Sequence, residues 1–438
     1  MSAAAAGARA ASRTRAAVRV ARADGLTAVA QRAARAAYRR LDAGQVDFPL
    51  LPGDVADSSQ LTLPTGKVAP PRGSRLAIAW VTTPPAAGSG GHTTMFRMIA
   101  ALEAAGHTCD LYLYDRYRGD LAVHEHIVRR WWPEIRARVR SADALPSSFD
   151  VVVATSWQTA HVVATRTPFP ARRLYLVQDF EPYFYARGSE YALAEDTYRF
   201  GFRCVAVGHM VAKLLASECD VTCDVAEFGC DRDIYRLTNE GARTGVAFYA
   251  RPGVARRGHE LASLALRQFA ARYPEQEIHV FGDSGQGLPF PTVNHGRLRP
   301  AELAALYNTC AAGLALSFTN ISLAAAEMLA CGAAPVVNDH PFARADLHSP
   351  QVRWSAATPQ ALCKALGDAA TGGGGLTQAR VAAGSIQGGG WDRAQATMVR
   401  AVEEEVWGLA WPDTDRRVTS ESSTAVGRTG QGERRCAF

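Results

Sequence analysis

Two arginines, one helix tip and one glutamate offer the most direct chemistry in the sequence. Arg251 and Arg257 lie in a Pro/Gly turn, Arg251-Pro252-Gly253-Val254-Ala255-Arg256-Arg257-Gly258, between the apolar run Val246–Tyr249 and a helix expected over 259–272. A guanidinium is a planar fork of donors that fits a diphosphate and neutralises charge growing on a leaving group. The second feature is TCAAGLALSFTNISLAAAEMLACGAAPVVND, residues 309–339. It reads as a strand over Ala312–Ser317, a polar loop over Phe318–Ser322, and a helix over Leu323–Ala330. A left-handed cap at Cys331-Gly332 then leads to a strand from Pro335. A loop that delivers a helix start beside a parallel sheet makes an anion site, because the free N–H groups and the positive end of the helix dipole point outward. Glu327 sits about one turn further in, where a carboxylate can accept hydrogen bonds from sugar hydroxyls. The pattern implies a nucleotide-sugar; the same stretch also reads as a plain βαβ unit with a solvated Glu.

Ligand-suited residues recur in the first half. Asp179-Phe180-Glu181-Pro182-Tyr183-Phe184-Tyr185 follows the strand expected over Leu174–Gln178. Carboxylates and aromatic faces outside the carboxyl end of a strand suit a carbohydrate, and an ordinary packed loop has the same composition. Pro84–Gly91 is a glycine-rich loop between the strand Leu76–Val81 and a helix expected from about His92 to Ala105. It matches neither G-x-G-x-x-G nor a P-loop. Cys219, Cys223 and Cys230 with His209 are the one cysteine-rich cluster, and their spacing fits no standard zinc finger. The arginines can stand in for a cation, so no metal and no cofactor are expected.

These residues need two α/β domains to position them. Strands are expected at 76–81, 109–114, 149–154, 174–178, 205–207 and 221–226, and again at 246–249, 278–281, 292–298, 312–317 and from 335. Helices are expected between them, including 120–140 with Trp131-Trp132, 209–217, 300–308, 357–370 and 391–407. The polar stretch 236–244 marks a hinge. Boundaries follow: 1–72 a basic extension and linker, 73–236 a first Rossmann-like domain, 243–390 a second, 391–410 a crossing helix, and 411–438 a disordered tail.

The chain has 438 residues, 47% hydrophobic and 21% charged, which is ordinary for a soluble α/β protein. The net charge of +6 is lopsided, since residues 1–45 hold nine Arg against Asp24 and Asp42. That segment reads as a packed helical extension, as a basic helix on an anionic membrane surface, or as a transit peptide. No nucleic-acid binding is implied. No run reaches the roughly 18 apolar residues of a membrane span. Scattered cysteines and the lack of a secretory h-region place the chain in the cytoplasm, where the basic segment can bring it to the inner face of a membrane.

The order of parts resembles the GT-B glycosyltransferases of family 4 over about residues 75–410. Gly90-Gly91, Arg251…Arg257-Gly258, His295-Gly296…Leu306-Tyr307 and Glu327…Cys331-Gly332…Pro335-Val336 carry the likeness. Within that family, VQDFEPYFYARGSEYALAEDTYRFGF (177–202) is most similar to bacterial rhamnosyltransferases of surface-layer and rhamnan synthesis. The resemblance implies two Rossmann-like domains facing across a cleft, behind a helical N-terminal extension. It also implies a retaining transfer of a sugar, L-rhamnose from dTDP-rhamnose, to a glycan or lipid-linked acceptor. Arg251 and Arg257 would hold the diphosphate, Ser322 and Leu323 would offer backbone N–H groups, and Glu327 would bind the ribose. Backbone at Leu298 would read the base, and Gly90 and Gly91 would line the opposite wall. Asp179, Glu181 and His209 are the catalytic candidates. The chain departs from the family at Thr319, where the first acid of E-x7-E would stand. An epimerase of the same architecture, or a scaffold that kept the fold without the chemistry, are the alternatives.

Overall fold

The computed structural model describes residues 29–38, 40–41, 47–143, 145–282, 287–372, 374–386 and 389–408. The expected tail 411–438 and most of the basic segment 1–45 lie outside these residues, as does Asp283–Gly285. Residues 1–52 form one compact unit and 53–438 another. In the first, 29–38 are helical and the Tyr38 hydroxyl donates to Asp47. No helix among the described residues is long and apolar enough to cross a membrane.

The second unit holds two parallel sheets. Among the described residues, the first sheet contains β1 (Ala77–Thr82), β2 (Thr108–Leu113), β3 (Arg138–Ser141), β4 (Val151–Ala154), β5 (Arg172–Val177), β6 (Arg203–Val207) and β7 (Asp224–Ala226), in the order β3-β2-β1-β4-β5-β6-β7. The second contains β8 (Val246–Ala250), β9 (Ile278–Gly282), β10 (Val293–Asn294), β11 (Ala312–Leu314), β12 (Ala334–Asn338) and β13 (Arg353–Ser355), in the order β10-β9-β8-β11-β12-β13. Each chain path runs outward to one edge, then returns past its first strand. Such a reversal opens a crevice at the strand carboxyl ends, between β1 and β4 and between β8 and β11. The central strands are apolar on both faces, as parallel sheets covered by helices require.

The helices in chain order are α1 (Gly90–Ala104), α2 (Leu121–Trp131), α3 (Trp157–Arg166), α4 (Ser189–Asp196), α5 (His209–Cys219), α6 (His259–Arg272), α7 (Pro300–Thr309), α8 (Leu323–Ala330), α9 (Pro359–Gly372), α10 (Leu376–Gly384) and α11 (Asp392–Trp407). α11 packs on the first sheet: Met398, Ala401, Val402 and Val406 share a core with Ile78, Trp80, Leu176 and Val205. Gln395 Nε2 donates to the Arg97 carbonyl at 3.0 Å.

Several elements differ from the sequence reading. α1 starts at Gly90, because the Ser89 side chain caps it by accepting from the His92 N–H, so Gly90 and Gly91 are helical. α2 ends at Trp131, and 138–141 is an edge strand in place of a continued helix. Trp132 is buried with Nε1 on Thr93 Oγ1 at 3.1 Å, while Trp131 faces solvent. α10 was not expected from the sequence. β11 stops at Leu314, three residues short of the apolar run, and β13 had no sequence signal of its own.

The stretch read as a linker, 46–72, is pinned from Asp54 to Lys67. Asp54 accepts from Arg166 Nε and Nη2 at 2.7 and 2.8 Å and from the Tyr114 hydroxyl at 2.9 Å. The Ala56 N–H donates to His161 Nδ1, Ser58 bonds Asp196, and Lys67 donates to the Phe149 carbonyl. The hinge segment is held as well, since Asn308 Oδ1 accepts from the N–H groups of Thr238 and Asn239.

Candidate active site

The basic loop 251–258 and the loop 315–322 interlock at the crevice of the second sheet. The Phe318 N–H donates to the Arg256 carbonyl at 3.1 Å. Gly258 has φ +62°, and a Cβ there would lie 2.9 Å from the Phe318 ring and 3.1 Å from Leu316 Cδ1. Only a residue without Cβ lets the loops close this far. Arg257 Nη1 donates to Ser317 Oγ at 2.9 Å, and Ser317 exchanges bonds of 2.8 and 2.7 Å with the Asn338 side chain. Burial pushes the Arg257 pKa down; Asp179 opposes that, and Arg256 and Arg251 reinforce it. The like charges of Arg256 and Arg251 thus bear on Arg257, which an anion would relieve. Arg251 itself is exposed, with Nη1 3.1 Å from the Tyr249 hydroxyl.

The loop 315–322, of which Phe318–Ser322 was expected as a polar loop, is buried from Thr319 to Ser322 and stitched to the first sheet. Thr319 Oγ1 donates to Asp179 Oδ1 at 2.8 Å, and the Thr319 carbonyl accepts from the Phe180 N–H at 3.3 Å. Asn320 Nδ2 donates to the carbonyls of Gln178 and Val207 at 2.6 and 3.1 Å. Ser322 caps α8 by position with no side-chain bond, and Leu323 packs on the core of the first sheet. The start of α8 thus faces the first lobe. Gly332, with φ +89°, ends that helix in the left-handed form expected.

Glu327 is partly buried. Burial raises its pKa to about 7; Asp231 adds to this, while Arg97 and a hydrogen bond from Tyr235 oppose it. Arg97, from α1, in turn donates to Asp231. Leu298 is half-buried and packs, like Tyr249, against one core of the second lobe. Gly91 faces Gln178, whose Oε1 would lie 3.5 Å from an added Cβ, and Gly90 has open space. The α1 start, the 315–322 loop and the basic loop are in this way brought together around Gln178 and Asp179.

The three catalytic candidates lie in different settings. Asp179 is at the lobe boundary, its Oδ2 4.0 Å from Arg256 Nε. Glu181 turns inward. Its Oε2 accepts from the Trp157 N–H and from the Tyr175 hydroxyl at 2.9 Å, at the start of α3. Burial pushes its pKa to about 8; those two bonds and Arg256 oppose the shift, and Asp179 adds to it. Burial thus favours the protonated form of Glu181. The stability it contributes is complete below the ordinary carboxylate pKa and is lost as pH rises through about 8. Glu181→Gln should fold and should flatten the fall in Tm between about pH 5 and pH 8; a slope equal to wild type would contradict the assignment.

His209 opens α5, and its ring is 3.8 Å from Glu227. The helix start beneath it is already occupied, since Asp346 Oδ1 and Oδ2 accept from the N–H groups of His209 and Met210, both at 2.6 Å. Gly208, with φ +88°, makes room, because a Cβ would lie 2.9 Å from Asp346 Oδ2. Asp346 comes from the second lobe, so this cap ties the lobes together. Asp346→Ala should cost about 1–2 kcal/mol, the loss of an N-cap. Exchange of the His209 and Met210 amides should quicken; unchanged protection would contradict the tie.

Arg256 had escaped the sequence reading. Its guanidinium stacks 4.2 Å from the Phe184 ring centre, joining the basic loop to the aromatic run of the first lobe. Three adjacent basic and small residues gave no signal as to which arginine would turn that way. The cysteines at 219, 223 and 230 are buried thiols, and among the described residues no group of three or more His, Cys, Asp or Glu could hold a metal ion.

Comparison with known proteins agrees with this layout. Residues 134–209 match the family model described as WsaF, N-terminal domain, and residues 244–367 match WsaF, C-terminal domain. A glycosyltransferase structure from Rickettsia africae superposes with a TM-score of 0.52 at 13% identity, covering 77% of this chain and 100% of that one. Anabaena Alr3699/HepE in complex with UDP-glucose gives 0.51 at 12% identity, over 76% and 98%. The fold is GT-B. It is shared by a putative UDP-N-acetylglucosamine 2-epimerase from Listeria monocytogenes, with a TM-score of 0.51 at 9% identity over 78% and 99%. Among curated proteins, the O-antigen biosynthesis protein RfbC of Myxococcus xanthus is 32% identical over 239 residues, 52% of this chain and 19% of that protein. This chain's match therefore spans about a fifth of that relative.

Proposed function

We propose that this chain is a glycosyltransferase of polysaccharide biosynthesis. It moves L-rhamnose from dTDP-rhamnose to a glycan or lipid-linked acceptor with retention of configuration. The observation that carries the reading is the basic loop seated on the 315–322 loop, with Arg257 on Ser317, the Arg256 carbonyl on Phe318 and the Arg256 guanidinium beside Asp179 at the lobe boundary. Arg257 and Arg251 take the diphosphate, the first N–H groups of α8 at Leu323 add partial positive charge, and Glu327 accepts from the one free hydroxyl of the deoxyribose. Backbone near Leu298 meets the base, and the α1 start at Gly90 and Gly91 forms the facing wall. The guanidiniums stabilise the charge that develops as the glycosidic bond to the diphosphate breaks. They supply positive charge at the place where other enzymes use a cation. The rest is positioning, with the acceptor hydroxyl held on the face the diphosphate leaves. Asp179 is the carboxylate placed at the boundary, and Glu181, turned inward, orients the aromatic run through Trp157 and Tyr175.

The test incubates the purified chain with dTDP-rhamnose, with and without a glycan acceptor fraction. Rhamnose incorporation with release of dTDP, lost in Arg257→Ala, supports the proposal. Isomerisation of the donor without acceptor would favour an epimerase. Binding without turnover for any nucleotide-sugar would favour a scaffold.

A further inference from the structure

The loop 315–322 divides its hydrogen bonds between the two lobes. Up to Phe318 it is bonded within the second lobe. The Ala315 N–H donates to the Val336 carbonyl at 2.9 Å, Ser317 exchanges bonds with Asn338, and the Phe318 N–H meets the Arg256 carbonyl. From Thr319 onward it is bonded to the first lobe. Thr319 Oγ1 donates to Asp179, and the Thr319 carbonyl accepts from the Phe180 N–H. Asn320 then spends its side-chain amide on first-lobe carbonyls, Gln178 at 2.6 Å and Val207 at 3.1 Å, while its Oδ1 accepts from the Ile321 N–H at 2.8 Å. Its side chain is buried.

A side-chain amide carries two N–H donors and an acceptor oxygen, so both donors of Asn320 and its oxygen are matched. β5 and β6 are neighbours in the first sheet, and the amide closes over their carboxyl ends. Val207 ends β6, and the turn after it receives a second side chain from the second lobe, Asp346 on the N–H groups of His209 and Met210. That turn presents a carbonyl and then free N–H groups; the second lobe meets them with an amide and a carboxylate. α8 begins directly downstream of Asn320, at Leu323. A shift of this amide therefore moves the helix start relative to the first lobe, while Arg257 and Ser317 keep their anchors within the second.

We propose that Asn320 is a positioning residue, setting where the α8 start and a donor bound to it stand relative to an acceptor on the first lobe. This rests on the glycosyl-transfer reading above. Donor grip belongs to the second lobe and survives loss of the amide; alignment with the acceptor hydroxyl does not. Transfer to an acceptor needs near-attack geometry across the lobe boundary, whereas water reaches the sugar without it. With alignment lost, the bond from the anomeric carbon to the diphosphate still breaks. Water supplies the oxygen that bonds that carbon, and one of its protons passes to solvent, leaving free sugar and dTDP. Asn320 itself touches no reacting atom.

The test compares the full chain with Asn320→Asp, which keeps the shape but turns a carboxylate toward two carbonyls, and with Asn320→Ser, which removes the amide without adding charge. On each, four quantities are measured: rhamnose transfer from dTDP-rhamnose to a glycan acceptor fraction, release of dTDP without acceptor, dTDP affinity, and Tm. Transfer should fall at least about tenfold in both variants. Affinity for dTDP should hold and release without acceptor should persist, so the ratio of transfer to hydrolysis falls with transfer. An unchanged ratio, whether both activities hold or both drop together, would overturn the proposal. A wild-type chain inert toward dTDP-rhamnose would be a failure of the donor reading alone. The lobe tie is then read from exchange of the Phe180 amide, which should quicken in both variants; protection equal to wild type would overturn it.

Discussion

Arg257→Ala should lower kcat/KM about 10- to 100-fold while leaving the fold intact. A hydrogen bond to a charged partner contributes about 1.5–3 kcal/mol, and a guanidinium facing a diphosphate makes at least one such bond. The charge of Arg257 is poorly compensated, since burial and the neighbours Arg256 and Arg251 disfavour its charged form while Asp179 and Tyr249 favour it. A bound diphosphate reverses that balance. The loss should therefore appear in donor KM as well as in kcat. Arg257→Lys should recover part of it, keeping the charge without the fork. A variant with wild-type donor affinity would place the diphosphate elsewhere.

Asp54→Ala should destabilise the chain by about 3 kcal/mol, at the lower end of what breaking a buried ion pair costs, because Arg166 keeps some solvent contact. The side chain removed is 6% exposed and accepts three hydrogen bonds, two from Arg166 and one from Tyr114. What remains is a guanidinium and a hydroxyl without their acceptor. Urea unfolding measures the effect, and a change below about 1 kcal/mol would show that the segment around Asp54 is a loose connection after all.

That segment shows where sequence reasoning reaches and where it stops. The α6 helix, 259–272, and the α8 helix, Leu323–Ala330, were legible to the residue, because apolar spacing and glycines at Gly258 and Gly332 mark their ends. Most of the parallel strands were legible as apolar runs whose ends moved, but the edge strands β3 and β13 were not. By contrast, 54–67 looks like a linker because its hydrophobic content is low. It is held by specific polar bonds, whose partners stand some 80 to 140 residues away. Composition cannot report a partner. The crevice follows the same rule. The types of Arg251, Arg257, Ser322 and Glu327 were readable, but the link between Thr319 and Asp179 spans 140 residues. The turn of Arg256 toward Phe184 depends on how two lobes meet. Glu181 and Asp179, two residues apart and alike in sequence, part company because one points into the β5–α3 core and the other to the lobe boundary.

The account rests on a pyrophosphate held between the basic loop and the start of α8. Its most direct test is the crystal structure of this protein soaked with dTDP. The account predicts density for both phosphates within hydrogen-bonding distance of the Arg257 guanidinium and of the N–H groups at Ser322 and Leu323, with Glu327 on the sugar hydroxyl of the nucleotide. Well-ordered nucleotide anywhere else on the chain, with Arg257 still bonded to Ser317, would contradict it.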